Sequence, residues 1–306
     1  MIAEGIVPRW RQRSASRGGI RNGRLAWLYL SPALLIFAVF TIGPAIFVLY
    51  ISLFDWNLLN SSMSTFVGTK NYRNIASSTD FWHSIEMSGY FVGAVVAGAT
   101  IFGLGIALLL SSRGLVRRIV RLAVLTPYFT PLVATSIVWV WIFNPQFGLL
   151  NSLLRMLHIT QVGWLQSTTW AMPAVIVYTL WHDLGFTVII FLAGLATVST
   201  ELREAARVDG ARYWHEVRDV ILPQLTQTIV FVIIITTIDS LQAFTQIYTM
   251  TQGGPLSATT TTGFLLYEES FVFYRTGFGA AIAVVLFVVI ALFTLIQLRV
   301  SRRRTD

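Results

Sequence analysis

The chain has 306 residues, of which 55% are hydrophobic and only 12% are charged, with a formal net charge of +8. Soluble domains carry about 25% charged residues, so the composition excludes an ordinary soluble protein and predicts a membrane protein. The absence of cysteine excludes disulfides, thiolate metal sites and a cysteine nucleophile. The four histidines lack metal-ligand spacing, and the basic residues flank apolar segments, so neither a metal site nor nucleic-acid binding is predicted.

Apolar, charge-poor intervals long enough for a membrane helix of about 20 residues recur along the chain. They predict an all-α membrane protein with six transmembrane helices. The predicted helices cover residues 26–54, 88–111, 118–143, 169–197, 220–249 and 277–299. The first interval is too long for a signal peptide and no small-residue cleavage site follows it, so we interpret it as an anchor.

The distribution of basic residues predicts the orientation of these helices. Of the 22 lysines and arginines, 18 lie in the N-terminal tail, the second and fourth connections and the C-terminal end. By the positive-inside rule these segments are cytoplasmic, as are both termini. We therefore predict a cytoplasmic tail over 1–24, a membrane domain over 25–300 and a cytoplasmic tail over 301–306.

The fourth connection concentrates charge in the sequence ELREAARVDGARYWHEVRDVILPQL, residues 201–225. Its pattern is helix, break, helix, with Ser199 or Thr200 as the first cap and Gly210 at the break. Two interpretations are open. The connection is an amphipathic segment lying on the membrane surface, or its small residues Ala205, Ala206 and Gly210 let another protein approach the backbone closely.

Here the chain resembles a known family. Glu204-Ala205-Ala206, Gly210, Val220 and Leu222-Pro223 follow the spacing of the EAA loop of ABC importer permeases, although Val220 stands where that pattern usually has isoleucine. The resemblance implies that residues 199–222, called the 199–222 loop below, form helices that dock into a cytoplasmic ATPase. The docking residues it implies are Glu204, Ala205, Ala206, Asp209, Gly210 and Arg212.

Four more stretches resemble the carbohydrate branch of these permeases, with maltose-type and glycerol-3-phosphate-type subunits. They are FVGTKNYRNI (66–75), LTPYFTP (125–131), WIFNPQFGLLN (141–151) and TMTQGGPLSATTT (249–261). The resemblance implies a bacterial or archaeal cytoplasmic membrane, a homologous second permease chain, two cytoplasmic ATPase subunits and an extracytoplasmic solute-binding protein. ATP and Mg²⁺ are expected in the ATPase subunits, and no cofactor or metal is expected in this chain.

Polar residues inside the predicted spans are candidates for a substrate pathway, because such groups usually face a cavity or a partner. Asp239, Gln242 and Gln246 recur at helical spacing and are predicted on one face. The residues predicted to line the pathway are His182, Asp183, Asp239, Ser240, Gln242, Phe244, Gln246 and Tyr248, and the family comparison adds Thr135 and Gly185. The alternatives are an interhelical hydrogen bond for Asp239 and Gln242, and a simple buried pair for His182 and Asp183.

The acidic residues on the outer side, Asp55, Asp80, Glu268 and Glu269, also allow two interpretations. They contact the solute-binding protein, or they are solvated loop charges.

The function predicted from these features is a permease subunit without catalytic residues, importing a di- or oligosaccharide. Glycerol-3-phosphate or a glycerophosphodiester is the alternative substrate, and the lack of arginine and lysine inside the spans favours a neutral sugar. A stand-alone secondary transporter is the competing class, but no internal repeat is evident. The chain has no Walker A motif and no paired protease motifs within the spans, so it neither powers transport nor cleaves peptides.

Overall fold

The structure, a computed structural model, describes residues 23–57, 62, 64–112 and 114–302. The tail before residue 23 and the basic residues Arg113, Arg303 and Arg304 lie outside the described part. In chain order the helices are α1 (Gly23–Phe37), α2 (Gly43–Ile51), α3 (Lys70–Ser77), α4 (Thr79–Leu110), α5 (Leu115–Leu125), α6 (Leu132–Ile142), α7 (Leu149–Met156), α8 (Ala171–Thr197), α9 (Thr200–Val208), α10 (Tyr213–His215), α11 (Leu222–Gln224), α12 (Thr226–Leu241), α13 (Thr245–Met250), α14 (Thr262–Tyr267) and α15 (Thr276–Arg302).

Shorter elements join these helices. A 3-10 turn covers Pro127–Phe129, and π-helical segments cover Ala38–Ile42, Glu216–Ile221 and Glu268–Val272. The strands β1 (Phe54–Asp55) and β2 (Thr65–Phe66) form an antiparallel ribbon in which Phe54 lies opposite Phe66.

The chain divides into two units, Met1–Phe47 and Val48–Asp306. In the first unit, α1 contains Pro32 and passes into the π-helical segment Ala38–Ile42. Large apolar side chains of this unit, Phe40 among them, are exposed, as expected for a helix that contacts lipid.

The all-α membrane class is confirmed. Among the described residues, four helical stretches are long and apolar enough to cross a membrane: Tyr29–Ile51, Thr79–Leu110, Ala171–Thr197 and Thr276–Arg299. Two bent pairs, Leu115–Phe129 with Leu132–Ile142 and Tyr213–Gln224 with Thr226–Leu241, raise the number to six if each pair is one span.

The predicted boundaries of three helices are wrong. The helix predicted at 88–111 begins at Thr79, because the Ser78 hydroxyl accepts a hydrogen bond from the Phe81 amide and caps it. The continuous helix predicted over 118–143 is bent by 103°, because Pro127 and Pro131 lack the amide hydrogen that a helix needs. The helix predicted over 220–249 is interrupted after Leu241.

The centre of the second unit is the contact between α4 and α8. Gly98 and Gly103 permit it, since a Cβ atom on Gly98 would lie 2.7 Å from Leu180 and one on Gly103 would lie 2.5 Å from Thr187. Small residues allow membrane helices to approach closely, and packing then replaces the hydrophobic effect as the driving force. The buried core beside this contact contains Phe91, Val95, Phe143, Met172, Ala174, Val175, Ile176, Tyr178, Ala243, Ile247, Met250 and Phe264.

A hydrogen-bond network joins α4 to α14. The Thr262 amide donates to Ser88 Oγ at 2.8 Å, and the Thr262 hydroxyl lies 3.1 Å from Ser88 Oγ and 3.3 Å from Ser84 Oγ. All three side chains are buried, so the network supplies hydrogen bonds that lipid could not offer to these hydroxyl groups.

The contact between α4 and α8 leads to the first prediction. Gly103→Val places a branched side chain against Thr187, and overpacking of this kind costs about 1–3 kcal/mol. Gly105→Val on the same helix is the matched control, because a Cβ atom there meets nothing within 4 Å. In thermal unfolding of the purified protein in detergent, only Gly103→Val should have a lower midpoint than the wild type. Equal midpoints for the two variants would contradict this packing.

Candidate functional site

A cavity of 250 Å³ lies between α8, α12 and the segments where helices are interrupted. We call it the central cavity. It is lined by Tyr128, Leu132, His182, Asp183, Phe186, Thr187, Thr236, Asp239, Ser240, Gln242, Ala243, Phe244, Thr245 and Gln246.

Interrupted backbone forms part of the cavity wall. Tyr128 belongs to the 3-10 turn before the Pro131 bend, and Gln242 to Phe244 connect α12 to α13. The carbonyl oxygen of Ala243 is free of the helix and accepts a hydrogen bond from the Thr261 hydroxyl at 3.2 Å. Non-helical backbone at membrane depth is tolerated where it is buried in protein or lines a cavity, as it does here.

Most of the residues predicted for the pathway lie around this cavity, but three do not. Thr135 hydrogen-bonds through its hydroxyl to Tyr178 at 2.9 Å. Gly185 faces the end of α5, where a Cβ atom would lie 2.8 Å from the Val124 carbonyl oxygen. Tyr248 lies outside the cavity lining, stacks on Phe244 at 5.4 Å and is 43% exposed.

The prediction that Asp239, Gln242 and Gln246 share one helical face is wrong, because no single helix contains all three. Helix α12 ends at Leu241, and Phe244 has φ −134° and ψ −53°, outside the helical range. The bend nevertheless brings all three residues to the wall of the central cavity.

His182 and Asp183 form a close pair in the middle of α8. His182 Nδ1 lies 2.7 Å from Asp183 Oδ1, and His182 Nε2 lies 3.3 Å from the carbonyl oxygen of Thr130, which precedes the Pro131 bend. His182 is buried whereas the Asp183 side chain is 40% exposed. The pair therefore ties α8 to the bend and still presents a carboxylate to the cavity.

Two other polar side chains on the wall keep unused hydrogen-bonding capacity. Within the described part of the chain, neither the exposed Asp239 carboxylate nor the buried Gln246 amide makes a hydrogen bond. Aromatic rings complete the wall, since Tyr128 stacks on Phe186 at 5.2 Å. Free acceptors and donors beside ring faces suit a ligand with both hydroxyl groups and an apolar face.

Sequence reasoning missed seven lining residues: Tyr128, Leu132, Phe186, Thr187, Thr236, Ala243 and Thr245. Helical spacing could have found two of them, since Phe186 lies four residues after His182 and Thr236 four residues before Ser240. Tyr128 could not be found from helical spacing, because it lies in the 3-10 turn before the Pro131 bend.

The 199–222 loop has two helical pieces around Gly210. The Ser199 hydroxyl accepts from the Leu202 amide at 3.3 Å and caps α9, and Gly210 has φ +83°, which favours glycine. The motif side chains of Glu204, Ala205, Asp209 and Arg212 are exposed, and Ala206 is partly exposed.

A buried carboxylate holds these two pieces together. Glu216 is 2% exposed and accepts from Arg203 Nε at 2.7 Å and from Arg207 Nε at 2.9 Å. This three-residue clamp joins α9 to the π-helical segment that follows Gly210. Sequence reasoning missed it, although Arg203 and Arg207 are four residues apart on one helical face.

Comparison with known proteins gives the family. The model for the inner membrane component of binding-protein-dependent transport systems matches residues 99–306. The chain belongs to this family. Among its relatives, this transport component is 33% identical over 289 residues to the trehalose/maltose transport system permease protein MalF of Thermococcus litoralis, across 94% of this chain and 96% of that protein. It is 32% identical over 303 residues to the sulfoquinovosyl glycerol transport system permease protein SmoG of Agrobacterium fabrum, across 99% of this chain and 97% of that protein.

A solved structure shares the fold of this transport component. It is that of a bacterial alginate ABC transporter in complex with an alginate pentasaccharide-bound periplasmic protein. One of its chains matches with a TM-score of 0.82 at 22% identity, covering 92% of this chain and 96% of that one.

The clamp at Glu216 leads to the second prediction. Glu216→Gln removes the charge that pairs with both arginines. We expect the free energy of unfolding to fall by about 1–3 kcal/mol, a limited loss because Arg207 is exposed and water can replace its bond to Glu216. Limited proteolysis should cut residues 199–212 faster in this variant than in the wild type.

The control is Asp219→Asn in the same segment, where the Arg218–Asp219 pair is exposed at 3.7 Å. It should behave like the wild type in thermal unfolding and in limited proteolysis. Equal stability and equal cleavage of Glu216→Gln and Asp219→Asn would show that the clamp does not hold the loop.

Proposed function

We propose that this chain is a permease subunit of an ABC importer for a di- or oligosaccharide, forming the translocation pathway with a second, homologous permease chain. In a member of this family, one combination of features carries the proposal. Helix α8 lines a polar cavity where neighbouring helices are interrupted, and an exposed loop with small residues follows α8. The relatives named for trehalose/maltose and for sulfoquinovosyl glycerol transport support the substrate class.

The wall of the central cavity favours a neutral, hydroxyl-rich substrate. Two carboxylates, Asp183 and Asp239, line it, and no lysine or arginine is among its described lining residues. Phosphate groups are usually bound by arginine or lysine, which this wall lacks, and the two carboxylates would repel them, so glycerol-3-phosphate or a glycerophosphodiester fits this wall poorly. Carboxylates accept hydrogen bonds from sugar hydroxyls, amides both accept and donate them, and Phe186 and Phe244 offer apolar ring faces.

The energy for transport comes from partner subunits in this proposal. Two cytoplasmic ATPase subunits bind ATP and Mg²⁺, and their closure is transmitted through the 199–222 loop to α8 and α12. This chain holds no cofactor and has no catalytic residues. An extracytoplasmic solute-binding protein delivers the sugar, and both termini are cytoplasmic, as the basic residues indicate.

The competing proposal, a stand-alone secondary transporter, predicts a purified chain that transports without partners. Family membership and the exposed motif on the 199–222 loop argue against it. Substrate uptake by proteoliposomes that contain only this chain would favour it.

The third prediction concerns Gln246. Gln246→Leu removes a buried amide that has no protein partner among the described residues, so the fold loses no internal hydrogen bond. We expect sugar uptake by the assembled transporter to fall roughly three- to tenfold, because the substrate would lose one hydrogen bond to the cavity wall. Gln227→Leu, at an exposed position of α12 outside the central cavity, should transport normally. Normal uptake by both variants would exclude Gln246 from the pathway.

The fourth prediction concerns docking to the ATPase. Glu204→Lys reverses an exposed charge on α9 that forms no ion pair within the described residues, so the chain itself should fold normally. Copurification of the ATPase subunits and ATP-driven uptake should both fall at least about tenfold, because a reversed charge meets its partner unfavourably. Asp219→Lys reverses an exposed acid outside the motif and is the control. A fully coupled Glu204→Lys complex would refute this docking surface.

A further inference from the structure

The ring of His182 has an acceptor beside each of its two nitrogens. Nδ1 lies 2.7 Å from Asp183 Oδ1, and Nε2 lies 3.3 Å from the Thr130 carbonyl oxygen. A carbonyl oxygen accepts hydrogen bonds and cannot donate them, so the contact with Thr130 requires a hydrogen on Nε2. The separation of 2.7 Å on the other side is typical of a charge-assisted hydrogen bond, which requires a hydrogen between Nδ1 and Oδ1.

These two bonds need one hydrogen more than a neutral imidazole beside an ionised carboxylate provides. A neutral ring carries a single N–H, so one of the two acceptors would face a nitrogen lone pair. The additional hydrogen lies on Nδ1, which makes the ring an imidazolium, or on Asp183, which then donates to Nδ1. In both cases the His182–Asp183 pair as a whole holds one proton and has no net charge.

Burial makes a missing bond at this ring costly. His182 is 6% exposed, and the described residues offer its nitrogens no hydrogen-bond partner besides Asp183 and Thr130. The Thr130 carbonyl is freed from helical bonding at the Pro131 bend, and His182 is its only hydrogen-bond donor in the described part of the chain. A lone pair facing either acceptor would therefore weaken the hold on the bend or on the carboxylate.

Few other titratable groups surround the ring. The centres of the Tyr178 ring, on α8, and of the Tyr128 ring, in the 3-10 turn, both lie 6.2 Å from its centre. Helix α12 contributes Asp239 to the cavity lining, and α4, α6 and α13 contribute no charged residue to it. Arg121 of α5 lies beside Leu192, ten residues further along α8. The proton of the pair is therefore the only positive charge at the described cavity wall that can compensate a carboxylate.

We propose that the His182–Asp183 pair holds one proton at neutral pH and that His182 is the positioning residue of the central cavity. One ring nitrogen holds the Asp183 carboxylate at the cavity wall, and the other holds the Thr130 carbonyl at the Pro131 bend. With the pair neutral, the described wall carries one net negative charge, on Asp239, instead of two, which suits a neutral sugar. Loss of the proton as the pH rises removes one of the two bonds, so sugar uptake should fall on the alkaline side.

The first test observes the hydrogens in the complete transporter in lipid nanodiscs at pH 7. Nitrogen-15 NMR of labelled histidine distinguishes a ring with hydrogen on both nitrogens from a neutral ring, and the His182→Gln variant identifies the signals of this residue. Carbon-13 NMR of labelled aspartate reports whether Asp183 is protonated. We expect a doubly protonated ring, or a neutral ring with hydrogen on Nε2 beside a protonated Asp183. A neutral ring beside an ionised Asp183 would overturn the inference.

The second test measures sugar uptake, and here the inference rests on the proposed function. His182→Gln removes the proton and leaves the Asp183 carboxylate uncompensated, so we expect uptake at pH 7 to fall at least about tenfold. Adding Asp183→Asn gives two amides that hydrogen-bond to each other without a proton. This double variant should regain at least about threefold over His182→Gln alone. A double variant no better than the single one would contradict a neutral pair.

The pH profile separates positioning from simple packing. The ratio of wild-type uptake to that of the double variant should fall at least about threefold between pH 7 and pH 9, because only the wild-type pair has a proton to lose. The ratio removes the pH dependence of the ATPase and of the solute-binding protein, which the two transporters share. A constant ratio over this range would overturn the positioning role.

These outcomes are distinct from a failure of the proposed function. A wild-type complex that assembles and hydrolyses ATP but imports no sugar at any pH would overturn the proposed function. The NMR measurement would still decide whether the pair holds its proton.

Discussion

The fold depends on one constraint: the hydrocarbon of a bilayer offers no hydrogen bonds, so every interruption of a helix inside it must be compensated. The chain interrupts its helices at the Pro131 bend and between Leu241 and Thr245, and both interruptions meet at the central cavity. The freed Ala243 carbonyl is bound by Thr261, and the Thr130 carbonyl lies beside His182. The close contact of α4 with α8 provides the rigid frame on which this irregular region is held.

Three sets of acids differ in how their carboxylates are buried and paired. Glu216 is buried but fully paired with two arginines, so it fixes the shape of the 199–222 loop. Asp183 is partly exposed and Asp239 is exposed, and both line the central cavity, where a hydroxyl-rich substrate would use them. Glu269 is buried, with one oxygen bonded to Arg275 and the other without a donor among the described residues. The solvation of each carboxylate thus separates a structural role from a proposed binding role.

The sequence predicted the membrane class, the family and most helix positions, because apolar length and the spacing of Glu204, Ala205, Ala206 and Gly210 are local signals. The predicted helix over 118–143 ignored Pro127 and Pro131, which are local signals for the 103° bend. The end of α12 at Leu241 has no such local signal, and the freed Ala243 carbonyl after it is bound by the distant Thr261. The cavity lining was predicted only in part, because Asp239 and Gln246 lie on different helices that line one cavity, and Gly185 proved to be a packing residue. The Glu216 clamp also joins residues across Gly210, beyond the reach of helical spacing.

The central claim is that the interrupted helices enclose a water-filled pathway, and thiol accessibility tests it most directly. The chain has no cysteine, so each single-cysteine variant carries one thiol in this chain. Cysteine at Gln242, on the cavity wall, and cysteine at Phe287, exposed on the apolar face of α15, should be compared in the assembled transporter. We predict rapid labelling of the Gln242→Cys variant by a hydrophilic maleimide, slowed by the transported sugar, and no labelling of Phe287→Cys. Equal rates at the two positions, unaffected by any sugar that the transporter imports, would contradict the account.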